Sequence, residues 1–196
     1  MTDHYDALEI RDPAERERDL LAALPRQIAQ AQTAAPALSK ILDGITAADV
    51  TTREALARLP VTRKSELLEL QKQGRENDPF GGFSAIARGT RMPRIFASPG
   101  TIYEPEGEAR DYWRTARALH AAGFRGGELI HNSFSYHMTP AGSIMESGAR
   151  AVGCTVFAGG TGQTEQQLEA MVDLKPEGYA GTPSFLKILL EKAEEK

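Results

Sequence analysis

The sequence predicts an α/β fold: a mostly parallel sheet with flanking helices, preceded by a helical extension. Three observations carry this. From Leu129 onward, short β-prone runs alternate with helical stretches of about 10–12 residues, the pattern of right-handed βαβ units. Two Thr-Pro dipeptides, Thr139-Pro140 and Thr182-Pro183, follow such runs, each offering a capping hydroxyl and a proline at the first helical position. The Ala-rich first forty residues place Leu20, Leu21, Leu24, Ile28 and Ala31 at helical spacing.

Taken in order, Pro25 interrupts the first helical run and predicts two helices or a kink. Thr51 to Glu54 fits a capping box for a short helix to Arg58, ended by Pro60. Thr62 can cap the next helix, which runs through Leu67, Leu68 and Leu70 to about Gln73. Gly74 to Pro93 reads as a long connection, with a short strand at Phe83–Ala87. It sets a boundary between a helical extension, residues 1–75, and an incomplete α/β subdomain, residues 76–196. In the second part, Arg94–Ser98 reads as a strand, and a helix runs from about Glu106 to Ala122. Leu129–Asn132, Val152–Phe157 and Tyr179–Gly181 follow as strands. Thr164 to Gln167 makes a capping box for the helix between the last two.

Composition narrows the function classes. With 196 residues, 41% hydrophobic and 26% charged, the chain can bury a sizeable core. No stretch reaches the roughly 18–20 apolar residues of a membrane helix. The start, MTDHYDALEI, lacks the basic and apolar regions of a secretory signal, so a cytoplasmic protein is expected. The single cysteine, Cys154, excludes an internal disulfide and reads as a small buried hydrophobe. The first twenty residues hold seven acids and three arginines, whereas the remainder is balanced at twenty of each sign. Without a basic cluster, nucleic acid is not an expected partner. The chain stops inside a helix at LLEKAEEK, which suggests a piece of something longer. A sheet cut there exposes an edge that can pair with a second copy, giving a homodimer.

Ligands of open α/β sheets bind beyond the C-terminal ends of strands, so three post-strand loops are candidates. The first, Ala97 to Glu108, offers hydroxyls and a glycine to an anion, but holds three glutamates and no cation. On its residues alone it reads more readily as a plain strand–turn–helix connection. The second, His131 to Gly142, mixes two aromatics with hydroxyls and two histidines, a composition suited to a small-molecule pocket. Its histidines lie six apart with no carboxylate between them, so no metal site is expected. The third, Ala158 to Gln167, leads three glycines into a helix start, either as an anion-binding N-terminus or as a tight turn. Trp113 and His120, seven apart, read as packing.

These motifs, in this order, resemble the N-terminal part of phenylacetate–CoA ligase-like enzymes, in the AMP-forming, adenylate-forming superfamily. The resemblance covers roughly residues 50–190. It rests on LARLPVTRKSELLEL with Lys64, on ARALHAAGFRGGELIHNSFSYHMTPAG, and on VFAGGTGQTEQQLEAMVDLKPEGYAGTPSFL. It implies activation of an aryl or acyl carboxylic acid with ATP and Mg2+, then transfer to CoA. By resemblance, Ser98, Gly100 and Thr101 stand in the phosphate-binding loop, where Glu104 replaces a basic residue. Phe134, Tyr136, His137, Thr139, Gly159, Gly160 and Thr161 would line the acid pocket. The nucleotide-base motifs and the lid lysine would follow residue 196, leaving this piece inactive alone. The altered phosphate loop also admits a second reading: a non-catalytic aryl- or acyl-binding module on the same fold.

Overall fold

The computed structural model describes residues 4–195. Packing divides the chain into two units: Ile10 to Gly107, and the segment up to Glu9 together with everything from Glu108 onward. The Gly-rich stretch closes back on the helices before it, where the Ala37 N–H donates to the Gly82 carbonyl at 3.0 Å.

In the first unit, α1 (Pro13–Ala34) starts where the Asp12 carboxylate accepts from the N–H groups of Ala14 and Glu15. α1 continues as one element through Pro25, which excludes two separate helices there. A proline in a 22-residue helix forfeits one backbone bond, which the packed turns on either side offset. The chain breaks instead at Ala35, extended ahead of Pro36, which opens α2 (Pro36–Ile41). The capping box expected from Thr51 does not form; Thr52, one residue on, is a simple N-cap whose Oγ1 accepts from the Ala55 N–H and starts α3 (Arg53–Ala57). Thr62 does not cap α4 (Lys64–Gly74); the Glu66 carboxylate reaches back to the Arg63 N–H at 2.9 Å. Ile28, Leu42, Val50 and Ala55 form this unit's core.

No strand forms at Phe83–Ala87, where Ser84 Oγ donates to the Ile86 carbonyl and accepts from its N–H in a local turn. β1 (Arg94–Ser98) pairs antiparallel with an unforeseen strand, β2 (Ile102–Glu106). Ile102 and Glu106 at the ends of β2 are buried. The buried Gln71 of α4 grips the middle, donating to the Tyr103 carbonyl and accepting from its N–H, both at 3.0 Å.

The expected helix from Glu106 is shortened to α5 (Ala116–Ala121). Arg114 takes a left-handed conformation (φ 59°), and the Asp111 carboxylate receives the N–H groups of Thr115 and Ala116. β3 (Leu129–Asn132), α6 (Ala141–Val152), β4 (Thr155–Ala158), α7 (Thr164–Leu174), β5 (Gly178–Ala180) and α8 (Pro183–Glu194) follow. The three strands form a parallel sheet in the order β4-β3-β5. β4 starts later than expected because α6 runs to Val152 and closes on left-handed Gly153. Thr139 does not cap α6, which begins after Pro140 without a side-chain cap. Thr182 does cap α8, its Oγ1 accepting from the Phe185 N–H.

Leu119, Ile130, Ala149, Cys154 and Ala180 form the core of this second unit. Cys154 Sγ lies 3.1 Å from the Arg125 carbonyl, and burial pushes its thiol above the usual range. Trp113 lies outside the helices, edge-on to Tyr112. The segment up to Glu9 is strapped to this unit: the Asp6 carboxylate receives the Arg117 guanidinium at 2.8 Å, and the Tyr5 hydroxyl donates to the Ala151 carbonyl. Among the described residues, no helix is long and apolar enough to cross a membrane.

Candidate functional site

The site is set by the order of the parallel strands. The chain leaves central β3 for one edge, β4, then crosses to the other edge, β5. With right-handed crossovers, these two connections fall on opposite faces of the sheet. Accordingly, Ile130 of β3 packs with Ala149 of α6, whereas its neighbour His131 meets Gln167 of α7. The loops after β3 and β4 therefore leave the strands' C-terminal ends toward opposite faces of the sheet.

Asn132, fully buried as the last residue of β3, builds the loop after it. Its Oδ1 accepts from the Phe134 N–H, and its Nδ2 donates to Tyr136 Oη at 2.8 Å and to the Gly142 carbonyl at 3.0 Å. Gly142 is itself packed against Tyr136, since a Cβ there would lie 2.8 Å from the ring. The Gly142 N–H then donates to the Ser135 carbonyl, closing the loop onto α6. Tyr136 is thus fixed at both its hydroxyl and its ring face.

The loop after β4 lies beside it. The Gly160 N–H donates to the Asn132 carbonyl at 3.0 Å, and a Cβ on Gly160 would stand 4.0 Å from the Tyr136 ring. Gln167 holds this loop from α7. Its Nε2 donates to the carbonyls of Gly160 and Gly162, and its Oε1 lies 2.8 Å from both His131 Nε2 and Ser133 Oγ. The Thr164–Gln167 pattern is therefore not a capping box: α7 starts after left-handed Gln163 with no side-chain cap, and Gln167 turns inward instead.

Of the residues singled out in the sequence, Tyr136, Gly159 and Gly160 come together here, with Phe134 half-buried next to them. His137 and Thr161 are exposed, and Thr139 is half-buried, its N–H donating to the His137 carbonyl. Asn132 and Gln167 organise the site and were missed. An asparagine closing a strand and a glutamine one turn into a helix carry no outward sign of four fixed neighbours.

Ser98, Gly100 and Thr101 lie in the other unit, as the turn of the β1–β2 hairpin. Gly100 (φ 97°) and Thr101 (φ 63°) are left-handed, and the Thr101 N–H donates to the Ser98 carbonyl. Thr101 Oγ1 is directed at the Gly100 carbonyl and Ser98 Oγ at the Ile102 carbonyl. The turn does have a cation beside it, which the local sequence lacks. Arg75, just past α4, donates to the Thr101 carbonyl and lies over the Tyr103 ring, 4.9 Å from its centroid. Its distance of 26 residues along the chain hides this from any motif.

No family model matches the chain. Among curated proteins, the chain is 34% identical over 158 residues to a phenylacetate–coenzyme A ligase of Aromatoleum evansii. It is 33% identical over 178 residues to one of Thermus thermophilus. These matches take in 77% and 86% of the chain, but only 34% and 38% of the relatives. Among solved structures, a 2-hydroxyisobutyryl-CoA ligase in complex with 2-HIB-AMP and CoA superposes with a TM-score of 0.87 at 22% identity. That alignment takes in 99% of this chain and 43% of the ligase, and at such identity the likeness is one of fold. The chain is therefore a homologue of phenylacetate–CoA ligases with the fold of adenylate-forming CoA ligases, spanning little more than a third of the length of the curated relatives it matches.

Proposed function

We propose that the chain forms the acid-binding part of an AMP-forming acyl- or aryl-CoA ligase. The observation that carries this reading is the pair of walls at the sheet's C-terminal end. Tyr136 and the Gly159–Gly160 backbone meet there, in a segment similar to phenylacetate–CoA ligases. An apolar ring beside side-chain-free backbone suits a flat aryl group or short acyl chain. In the proposed reaction, a carboxylate oxygen attacks the α-phosphorus of ATP and pyrophosphate leaves. The CoA thiol then attacks the acyl carbon and AMP leaves. This chain's own part is to hold the acid and exclude water around it. Magnesium would accompany the nucleotide's phosphates. On this reading the chain alone binds acid without turning it over.

The hairpin turn favours a second reading, a non-catalytic aryl- or acyl-binding module. The hydroxyls of Ser98 and Thr101 face backbone carbonyls within their own turn, and half-buried Glu104 brings negative charge close by. Pyrophosphate release tests the two in a ligase containing this chain, given ATP, magnesium and a panel of aryl and alkyl acids. Release with one acid class supports the enzyme. No release with any acid overturns it, and calorimetric binding of phenylacetate without ATP binding then identifies the module. Glu104→Lys should tighten ATP binding several-fold if the turn meets phosphate; an unchanged affinity shows that it does not.

A further inference from the structure

We propose that Gln167 is the positioning residue of the acid pocket, one buried amide that sets the Gly159–Gln163 loop against the end of β3. This deepens the reading above and rests on that loop bordering the acid site.

The assignment follows from donor and acceptor chemistry. Gln167 is only 2% exposed, so its amide has no water to fall back on. The carbonyls of Gly160 and Gly162 can only accept, which fixes the amide nitrogen toward the loop. Oε1 must then face His131 and Ser133, and both must donate to it. His131 therefore carries its proton on Nε2, and the Ser133 hydroxyl points at Gln167. The amide's donor half holds the loop and its acceptor half ties that loop to β3, with every bond satisfied.

The loop is shaped to lie on this amide. A Cβ on Gly159 would come within 2.8 Å of His131 Nε2 and 2.9 Å of Gln167 Oε1, so a side chain there would push the loop off. No other neutral side chain of this length presents two donors and an acceptor on one planar group. Glutamate keeps the shape and the acceptor half but loses both donors. Leucine keeps neither.

NMR on the 15N-labelled chain separates these halves, with phenylacetate as the probe. In the native chain, His131 should show the Nε2–H tautomer, and the Gly160 amide, bonded to the Asn132 carbonyl, should exchange slowly. In Gln167→Glu, the His131 signature should persist while Gly160 exchanges at least tenfold faster and phenylacetate binds at least tenfold more weakly. The Cys154 and Thr155 amides, bonded to the Ala149 and Glu128 carbonyls, should not change. Gln167→Leu should also lose the fixed tautomer. Gly159→Ala, which presses on the same amide from the loop side with Gln167 intact, should loosen Gly160 as well.

A Gly160 amide unchanged in both Gln167→Glu and Gly159→Ala overturns the role of Gln167. So does equal loosening at Cys154 and Thr155, which would mark a merely structural amide. Absence of any phenylacetate-induced shift in the native chain overturns the acid-pocket reading instead, whatever Gly160 does.

Discussion

Both units bury a glutamine amide, and they use it in opposite ways. In the hairpin unit, Gln71 spends both ends of its amide on one residue, Tyr103, as a neighbouring strand would. It extends regular structure. In the sheet unit, Gln167 divides its amide among His131, Ser133, Gly160 and Gly162, three of which lie in loops rather than in a strand or helix. It gives shape to backbone that has no ladder of its own. Asn132 does the same for Phe134, Tyr136 and Gly142. The difference teaches where binding surface is made. A turn that closes on itself has few polar groups left over, whereas a loop held from behind can present its front face to a ligand.

Breaking the amide at the end of β3 should give the largest effect. Asn132→Leu strands three polar partners, at about 1–3 kcal/mol for each unsatisfied group partly offset by relaxation and solvent, so a loss of about 2–4 kcal/mol is expected. Urea unfolding measures it, and a loss under about 1 kcal/mol would show that loop waters replace the amide. Gln71→Leu should cost less, about 1–2 kcal/mol, because it leaves only the two backbone groups of Tyr103 at the hairpin. Hydrogen exchange should show loosening of the β2 amides and none at β3; equal loosening in both would dissolve the contrast. Smaller still, Ser98→Ala removes a bond already stretched to 3.5 Å in the turn, so a change within about 0.5 kcal/mol is expected.

The last prediction concerns acid pH. The Arg117 guanidinium holds the Asp6 carboxyl below its ordinary value of 3.8. The bond it makes is then fully present above pH 4 and is lost as pH falls through the depressed folded-state value. The Tyr5 ring resonances should move on acidification below about pH 4 in the native chain. In Asp6→Asn they should be insensitive, and a shift of equal size there would assign the transition to another group.

How much of this was legible in the sequence varies with the range of the cause. The position of β3 and the Thr182 cap of α8 follow from local pattern, and both stand where that pattern puts them. That the sheet is parallel was implied by strand–helix alternation, because each crossover helix returns the chain to the same end of the sheet. What the local pattern missed depends on distant partners. β2 needs β1 and Gln71, α5 is cut short by Asp111 and Arg114, and Gln167 turns inward because four neighbours await it. In the candidate site, residue chemistry picked out Tyr136 and the glycines. It gave no means of telling buried Asn132 from exposed His137.

The strap at the chain's start has a temporal side. The acceptor of the Tyr5 hydroxyl lies 146 residues further along, and the guanidinium that takes Asp6 lies 111 residues further. At about 5–20 residues per second, a ribosome delivers Ala151 roughly seven to thirty seconds after Tyr5. Asp6 waits for Arg117 and Tyr5 waits longer, for Ala151, while Ile10 to Gly107 already holds the residues of its own core. Tyr5 and Asp6 are therefore seated only after Arg117 and Ala151 have been made, although they precede both along the chain.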